Sequence, residues 1–232
     1  MELKRYYILI LTGIVVGVLC YYLFFTLKRK YVMYEYFHQG RWEKLQSKYN
    51  KIKKTRKSII LFGDSMTELF KEYLHESDSI KNMGISGDFS EGLIKRIDNV
   101  TKYQPEKIFI MIGINDIVEK VPLSEIETNY LKIYDILKKD CPKTKIYFES
   151  ILPTRSLNSL LHSSKDINKT VIELNTFLQN TAKEKNCIFI NMYSAFVDNH
   201  NYLRKELTTD GVHLNKAGYQ IWQSYIKNDI RL

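Results

Sequence analysis

A serine, an aspartate and a histidine stand in positions that suit nucleophilic catalysis. Ser65 follows an apolar run in the segment GDS, and Asp210 and His213 come from the segment DGVH near the end of the chain. Serine catalysis needs a hydroxyl, an imidazole that takes its proton and usually a carboxylate that orients the imidazole. A spacing of three lets Asp210 hold one ring nitrogen of His213 while the other ring nitrogen faces the serine.

Two further residues suit the stabilisation of a developing oxyanion. Gly87, in the segment GISGD, allows the backbone to approach a reacting carbonyl closely. Asn115, in the segment GIND, supplies a carboxamide N–H. Donors of these two kinds are what an oxyanion site requires.

Each piece also has a structural interpretation. A serine between a strand and a helix is normally an N-cap, and we expect Ser65 to begin the helix in either case. Asp64, Asp88 and Asp116 are expected to brace their loops through backbone hydrogen bonds. The catalytic interpretation depends on all the pieces lying at one place in the fold.

The hydrophobic pattern predicts that place. Five apolar segments predict buried strands, at 58–63, 80–84, 107–113, 145–150 and 187–192. Each is followed by a helical pattern, at 68–74, 90–103, from Pro122 onward, at 166–186 and at 216–227. This alternation predicts an α/β fold with a parallel sheet covered on both faces. Ligands bind beyond the carboxyl ends of such strands, and all the candidate residues lie in loops at that edge.

The charge distribution argues against a nucleic-acid partner. The net charge is +9, and residues 28–58 carry 11 Lys and Arg against two Glu, so this short segment holds the whole excess. No zinc-finger spacing, RNA-binding aromatic motif or basic recognition helix accompanies the segment. Within it, Trp42, Leu45, Tyr49 and Ile52 form the apolar stripe of a predicted amphipathic helix.

The N-terminal segment predicts a membrane anchor. The stretch from Tyr6 to Leu27 contains no charged residue and is long enough to cross a bilayer as one helix. A cleaved signal peptide is the alternative, but basic residues and no small-residue cleavage site follow the apolar stretch. We therefore predict an anchor at 1–30, a basic juxtamembrane segment at 31–57 and a catalytic domain at 58–232. The count of positive charges places the domain in the cytoplasm, whereas export remains open.

These motifs, with the stretches NMGISGDFSEGLIKRIDNV, KIFIMIGIND and KIYFESILP, resemble the GDSL or SGNH hydrolase family, in particular its platelet-activating-factor acetylhydrolase branch. The resemblance implies a three-layer, flavodoxin-like α/β/α fold. It implies that Ser65 is the nucleophile, His213 the base and Asp210 its orienting acid. The backbone N–H groups of Ser65 and Gly87 then join Asn115 in the oxyanion hole.

The resemblance has two local departures. Met66 stands where the family usually has Ile, and Phe89 lies where it commonly has Thr, so Phe89 is expected to shape the pocket rim. Asp64, Phe89 and Leu157 are the candidate substrate contacts, and Leu157 belongs to the longest loop near the strand edge. The loop leucines line the leaving-group side or simply cover the sheet.

The predicted reaction is hydrolysis of a small acyl ester, acetyl above all, through an acyl-Ser65 intermediate. No cofactor and no metal are expected, because the sequence has no phosphate-binding loop, dinucleotide motif or metal-ligand spacing. By family habit the substrate is an acetylated glycan, and the catalytic domain is exported, which the count of positive charges opposes. The bilayer is the other partner. A membrane-anchored O-acyltransferase, a long-chain lysophospholipase or thioesterase, and a non-catalytic scaffold are the alternatives. No oligomeric state is predicted.

Overall fold

The computed structural model describes residues 2–38, 40–51, 58–74, 79–155 and 163–230. The chain divides into two compact units, Met1–Glu43 and Lys44–Leu232. Each unit is described separately below.

The first unit consists mainly of one long helix, α1 (Glu2–His38). Its apolar side chains between Tyr6 and Leu27 are exposed. By length and composition the helix can cross a membrane, although a signal sequence has the same properties. The second helix, α2 (Gly40–Asn50), continues into the second unit, where the buried Tyr49 donates a hydrogen bond to the carbonyl of Gly84 (2.6 Å).

The second unit is built on a parallel sheet, as predicted. Within the described residues its strands are β1 (Ile59–Gly63), β2 (Ile80–Asn82), β3 (Lys107–Met111), β4 (Lys145–Glu149) and β5 (Ile188–Ile190). They are paired in the order β2-β1-β3-β4-β5, all parallel. The chain order reverses between β1 and β3, which is where open sheets of this kind bind ligands.

Helices cover both sides of this sheet. They are α3 (Ser65–Phe70), α4 (Ser90–Lys95), α5 (Asp98–Thr101), α6 (Ile114–Val118), α7 (Leu123–Asp140), α8 (Ser164–Glu184), α9 (Tyr193–Phe196) and α10 (Lys216–Ile230). On α7, the predicted inner face of Ile126, Tyr130, Ile133 and Leu137 is fully buried. Phe70 of α3 stacks on Trp222 of α10, with ring centroids 4.6 Å apart, and this stack joins α3 to the last helix of the unit.

The predicted helix 90–103 is interrupted. Two short helices, α4 and α5, replace it, and the break begins at Arg96. The cause is visible at this residue, because its guanidinium is fully buried and bonded to groups of other loops. The helix after β1 begins at Ser65, as expected, but it ends at Phe70 and not at Leu74.

Candidate active site

Ser65 lies at the junction between β1 and α3. Asp64 is the N-cap of α3, and its carboxylate accepts a hydrogen bond from the N–H of Met66 (2.9 Å). Asp and Ser are equally good caps, so the expectation that Ser65 caps the helix is corrected in favour of its neighbour. Ser65 is the first residue of the helix, and its hydroxyl does not serve as the cap.

The hydroxyl of Ser65 contacts His213 instead. Ser65 Oγ lies 2.9 Å from His213 Nε2, and His213 Nδ1 lies 2.7 Å from Asp210 Oδ2. An Nδ1–H that donates to the carboxylate leaves Nε2 to accept the serine proton. The three predicted residues thus form a continuous serine–histidine–aspartate chain of hydrogen bonds.

The carboxylate of Asp210 is oriented by its own loop. Its Oδ1 accepts hydrogen bonds from the N–H groups of Val212 (2.9 Å) and His213 (2.8 Å). Partial burial acts to raise the pKa of Asp210, but the hydrogen bonds from His213 and from these backbone groups outweigh it and lower the pKa. Asp210 is therefore ionised at neutral pH and stabilises an imidazolium at His213.

Gly87 lies in the loop after β2, and Asn115 lies in the first turn of α6 after β3. These two strands flank β1, which leads to Ser65. The N–H of Asp88 donates to the carbonyl of Ile85 (3.1 Å) and closes a turn in which Gly87 has a φ of 80°. Such a positive φ suits glycine, and the hydrogen bond of the turn does not use the Gly87 N–H. Asn115 donates one amide N–H to the carbonyl of Asp88 (2.9 Å), so the two predicted oxyanion donors are physically linked.

Buried polar side chains brace these two loops. The carboxylate of Asp116 accepts hydrogen bonds from the Ser90 hydroxyl (2.6 Å) and the Ser90 N–H, and Asn129 donates to the same hydroxyl (2.9 Å). Asp88 accepts from the N–H of Phe89 (3.0 Å). The predicted bracing role of Asp64, Asp88 and Asp116 is confirmed by these bonds.

Burial shifts the protonation of two of these carboxyls. It raises the pKa of Asp64 to about 7 and the pKa of Asp116 to about 6, and hydrogen bonds from Met66 and Ser90 oppose the shifts. The nearby carboxylate of Asp88 raises both values further. Asp64 and Asp116 therefore keep part of their protons closer to neutral pH than exposed aspartates would.

A small apolar cavity is lined by Asp64 and Met66, the two chain neighbours of Ser65. It has a volume of about 10 Å³, enough for about one water-sized sphere. Its lining comes from the ends of β1, β3 and β4 and from the histidine loop: Asp64, Met66, Met111, Ile114, Ile151, Leu152, Pro153, Thr154 and Val212. The position and size of the cavity suit a short acyl group attached to Ser65.

Other predicted residues are placed differently or fall outside the described residues. Phe89, expected at the pocket rim, is only 3% exposed and does not line the cavity. Leu157 lies outside the described residues, and Asp64 lines the cavity while its carboxylate caps α3. Among the described residues, no group of three or more His, Cys, Asp or Glu could hold a metal ion.

Sequence reasoning missed the residues that support the oxyanion side. Arg96, Ser90 and Asn129 are buried and bonded to its loops, but each is an ordinary helical residue in the sequence. The sequence offers one signal for them: they are polar residues at positions that the helical pattern places in the protein interior. The cavity likewise has no sequence motif, since its lining comes from four separate loops.

Comparisons with known proteins agree with this geometry. Residues 61–221 match the model of the GDSL-like lipase/acylhydrolase family. The N-acylneuraminate cytidylyltransferase of Escherichia coli O18:K1:H7 is 26% identical over 178 residues, which are 75% of this chain and 40% of that protein. The chain thus spans about two fifths of the length of the curated relatives it matches.

Solved structures share the fold. A Streptococcus pneumoniae protein, named for platelet activating factor, is 30% identical with a TM-score of 0.74, and the match covers 87% of this chain and 98% of that one. A catalytic mutant of an acetylxylan esterase from Geobacillus stearothermophilus is 19% identical with a TM-score of 0.58, covering 77% and 96%. At that identity the second likeness shows the fold alone.

Proposed function

The chain belongs to the GDSL-like lipase/acylhydrolase family, and on that premise we propose that it hydrolyses esters of small acyl groups, acetyl above all, on a sugar hydroxyl. Membership makes it an ester hydrolase. The acyl size, the sugar and the roles of individual residues form the proposal. The hydrogen-bond chain from Ser65 through His213 to Asp210 is the observation that carries it.

The reaction follows from this geometry. His213 Nε2 takes the proton of Ser65 as its Oγ attacks the ester carbon, and the imidazolium is stabilised by Asp210. The carbonyl oxygen becomes an oxyanion that accepts hydrogen bonds from Asn115 and from the N–H groups of Ser65 and Gly87. The intermediate then expels the alcohol, which receives the proton from His213, and leaves an acyl-Ser65.

Deacylation repeats these steps with water. His213 takes a proton from the water as its oxygen attacks the acyl carbon, and Ser65 leaves with the proton returned to it. A sugar hydroxyl in place of water would give the O-acyltransferase reaction with the same residues. The test below therefore measures both acceptors.

The proposed acyl size is supported by the cavity beside Ser65. A space of about 10 Å³ suits a methyl group, and its apolar lining suits a hydrocarbon. Longer chains would have to displace buried residues such as Met111 and Ile151. Because each methylene changes binding in an apolar pocket by about 1–3 kcal/mol, chain length should be strongly discriminated.

The proposed sugar is supported by the names of similar proteins. The Geobacillus protein with the same fold is an acetylxylan esterase, and the curated relatives are named for an N-acylated sugar acid. These names motivate two substrates for the test, acetylated xylan and O-acetylated neuraminic acid.

The proposal is tested with full-length protein in detergent. We expect p-nitrophenyl acetate to be hydrolysed, the rate to fall at least tenfold from acetyl to octanoyl esters, and Ser65→Ala to abolish activity. Equal rates for the wild type and Ser65→Ala would contradict the assignment of Ser65 as the nucleophile. A rate that rises with chain length would instead favour a lysophospholipase or thioesterase, and acyl transfer to added glycan that outruns hydrolysis would favour the transferase.

Two matched methionine variants test the role of the cavity. Met111 lines it, whereas Met192 is equally buried but does not. Met111→Ala should raise the ratio of butyryl to acetyl hydrolysis about tenfold, and Met192→Ala should leave the ratio unchanged. An unchanged ratio in both variants would remove the cavity from the account of acyl selectivity.

We also propose that the stretch from Tyr6 to Leu27 is an uncleaved anchor. The support is the length and composition of α1, whose apolar side chains are exposed. Retention of the protein in washed membranes at its full mass would support the anchor, and release of a shortened form would indicate a cleaved signal. Alkaline phosphatase fused to the C-terminus reports which side carries the domain.

A further inference from the structure

Arg96 is a buried cation outside the catalytic residues. Its side chain is fully buried, and its Nε donates to Asp88 Oδ2 at 2.7 Å. Its Nη1 donates to the carbonyl of Met83 (2.6 Å) and its Nη2 to the carbonyl of Gly63 (2.9 Å). One guanidinium therefore joins the end of β1 to both ends of the loop that follows β2 and carries Gly87.

We propose that Arg96 is a positioning residue for the oxyanion hole, which acts through Asp88 on Gly87 and Asn115. This inference rests on the proposed function, because it assigns a role within that reaction. Asp88 is the next residue after Gly87, and its carbonyl accepts the amide N–H of Asn115 (2.9 Å). When Arg96 fixes Asp88, it fixes the neighbours of both donors.

The bond between Asn115 and Asp88 has a directional consequence. A carboxamide carries two N–H groups in one plane, and the carbonyl of Asp88 takes one of them. The direction of the other N–H is then set by the position of Asp88. A small shift of Asp88 would therefore turn the donor that remains for the oxyanion, and misplaced donors lose catalytic effect steeply.

The presence of arginine at position 96 also indicates that its role is to fix the positions of other groups. A buried ion pair is weak evidence for stability, because apolar residues of similar volume are often as stable. A guanidinium, however, presents five donors in a rigid plane, which a lysine ammonium does not. Its acceptors lie at the end of β1 and at both ends of the loop between β2 and α4.

A second network limits the expected effect. Asp116 binds Ser90, and Asn129 donates to the Ser90 hydroxyl, so the same two loops are also braced from the other side. Loss of the Arg96 bonds should therefore loosen the donors without removing them. We expect a smaller loss than the 10²–10³-fold loss that is typical when an oxyanion donor is deleted.

The first experiment compares Arg96→Lys with the wild type. We expect kcat for p-nitrophenyl acetate to fall about 10–50-fold per folded molecule, with KM within about threefold. Thr144→Val is the control, because it removes a buried hydrogen bond to the carbonyl of Pro105 at the amino ends of the strands. It should lower stability and leave kcat unchanged. A wild-type kcat in folded Arg96→Lys would overturn the inference.

A double-mutant cycle separates positioning from a structural role. If Arg96 acts through the donors, its replacement should cost less than about threefold in an Asn115→Ala background, since contacting residues are non-additive. Independent costs that multiply in the double variant would overturn the inference. If Arg96→Lys does not fold, Asp88→Asn carries the same cycle with an expected fall of about fivefold, because the amide keeps one acceptor oxygen.

A covalent probe keeps this inference separate from the proposed function. A small fluorophosphonate reacts once with Ser65. In this step the Ser65 Oγ–P bond forms and fluoride leaves. The reaction uses the same oxyanion donors but needs no ester turnover. Slower labelling of Arg96→Lys than of the wild type supports the inference even where no ester is hydrolysed. Equal labelling and equal turnover would overturn it and leave the esterase proposal intact.

Discussion

The loops around Gly87 and Asn115, which carry the proposed oxyanion donors, differ in construction from the loop of Asp210 and His213, which carries the proposed base. We call them the oxyanion side and the base side. On the oxyanion side, Asp64, Asp88 and Asp116 are buried and bonded to backbone groups of two loops. On the base side, the side chains of Asp210 and His213 are 52% and 32% exposed, and they belong to one short loop. Buried hydrogen bonds hold the oxyanion side, whereas hydrogen bonds within its own turn hold the base side.

The base loop is nevertheless well defined. The hydroxyl of Thr208 donates to the carbonyl of His213 (2.7 Å) and accepts from the N–H of Gly211 (2.9 Å). The N–H of Arg155 donates to the carbonyl of Gly211 (2.7 Å), which ties the loop to the segment after β4. Local backbone bonds thus fix the histidine while its ring remains accessible to water.

The difference matches two chemical tasks. Donors to an oxyanion gain their effect from fixed positions, so a buried and interlocked frame suits them. A base must return its proton to a leaving group and take one from water, so partial exposure suits it. We therefore expect the donor Asn115 to contribute more to the rate than the exposed carboxylate of Asp210.

Removal of the base is expected to have the largest effect. His213→Ala should lower kcat about 10⁴-fold or more, because His213 is the one base among the described residues within hydrogen-bond distance of the Ser65 hydroxyl. Steady-state hydrolysis of p-nitrophenyl acetate measures it. Combination with Ser65→Ala should cost nothing further, and an additional loss in the double variant would show that the two residues do not act as a unit.

Loss of the oxyanion amide should follow. Asn115→Ala is expected to lower kcat about 10²–10³-fold with little change in KM, because the amide acts mainly in the transition state. Gln104→Asn is a matched control, since it shortens a carboxamide that donates to the carbonyls of Thr101 and Asp140 at the opposite edge of the sheet. A control loss as large as that of Asn115→Ala would mean that general loosening explains both.

The orienting acid should matter less than the amide. Asp210→Asn keeps the shape of the side chain but removes the charge, and water already screens half of this group. We expect kcat to fall about 10–100-fold, which is less than the roughly 10⁴-fold loss at a buried orienting aspartate, because half of Asp210 is exposed to water. The loss should grow at low ionic strength. A loss greater than that of Asn115→Ala would reverse the comparison and make the base side the dominant one.

The same division explains what could be predicted from the sequence. Ser65, Asp210, His213 and Asn115 lie directly after strands or in a short turn, so their placement follows from the strand pattern and local spacing. The choice of Asp64 over Ser65 as the cap could not be predicted, because both residue types cap helices equally well.

The hydrogen bonds that hold the oxyanion side could not be predicted from the sequence, for a different reason. Its bonds join residues far apart in the chain, such as Arg96 to Gly63 and Asn129 to Ser90. A periodic pattern assigns Arg96, Ser90 and Asn129 to helices and Gly63 to a strand but does not say which residues they contact. The break between α4 and α5 was missed for the same cause, since the tertiary bonds of Arg96 override the local helical preference.

The smallest effect we predict concerns stability, at a buried carboxyl away from the reacting atoms. Glu149 accepts a hydrogen bond from Trp222 Nε1 (2.6 Å), and burial raises its pKa to about 7, although that hydrogen bond opposes the shift. Because the folded pKa lies above the unfolded value, this group lowers stability as pH rises from about 4.5 to 7. The lowered pKa of Asp210 acts in the opposite direction, since its contribution is lost only as pH falls through that pKa.

Glu149→Gln keeps an acceptor for Trp222 and cannot ionise. We expect the variant to gain on the order of 1–3 kcal/mol relative to the wild type between pH 5 and pH 8, measured as the free energy of unfolding in urea. Its kcat should be unchanged, because the side chain faces α10 and not the loops that hold the oxyanion donors. A gain that does not depend on pH would show that Glu149 is not the titrating group. A changed kcat would show that a buried carboxyl away from the oxyanion side also affects catalysis. The oxyanion side and the base side would then differ only in their exposure to water.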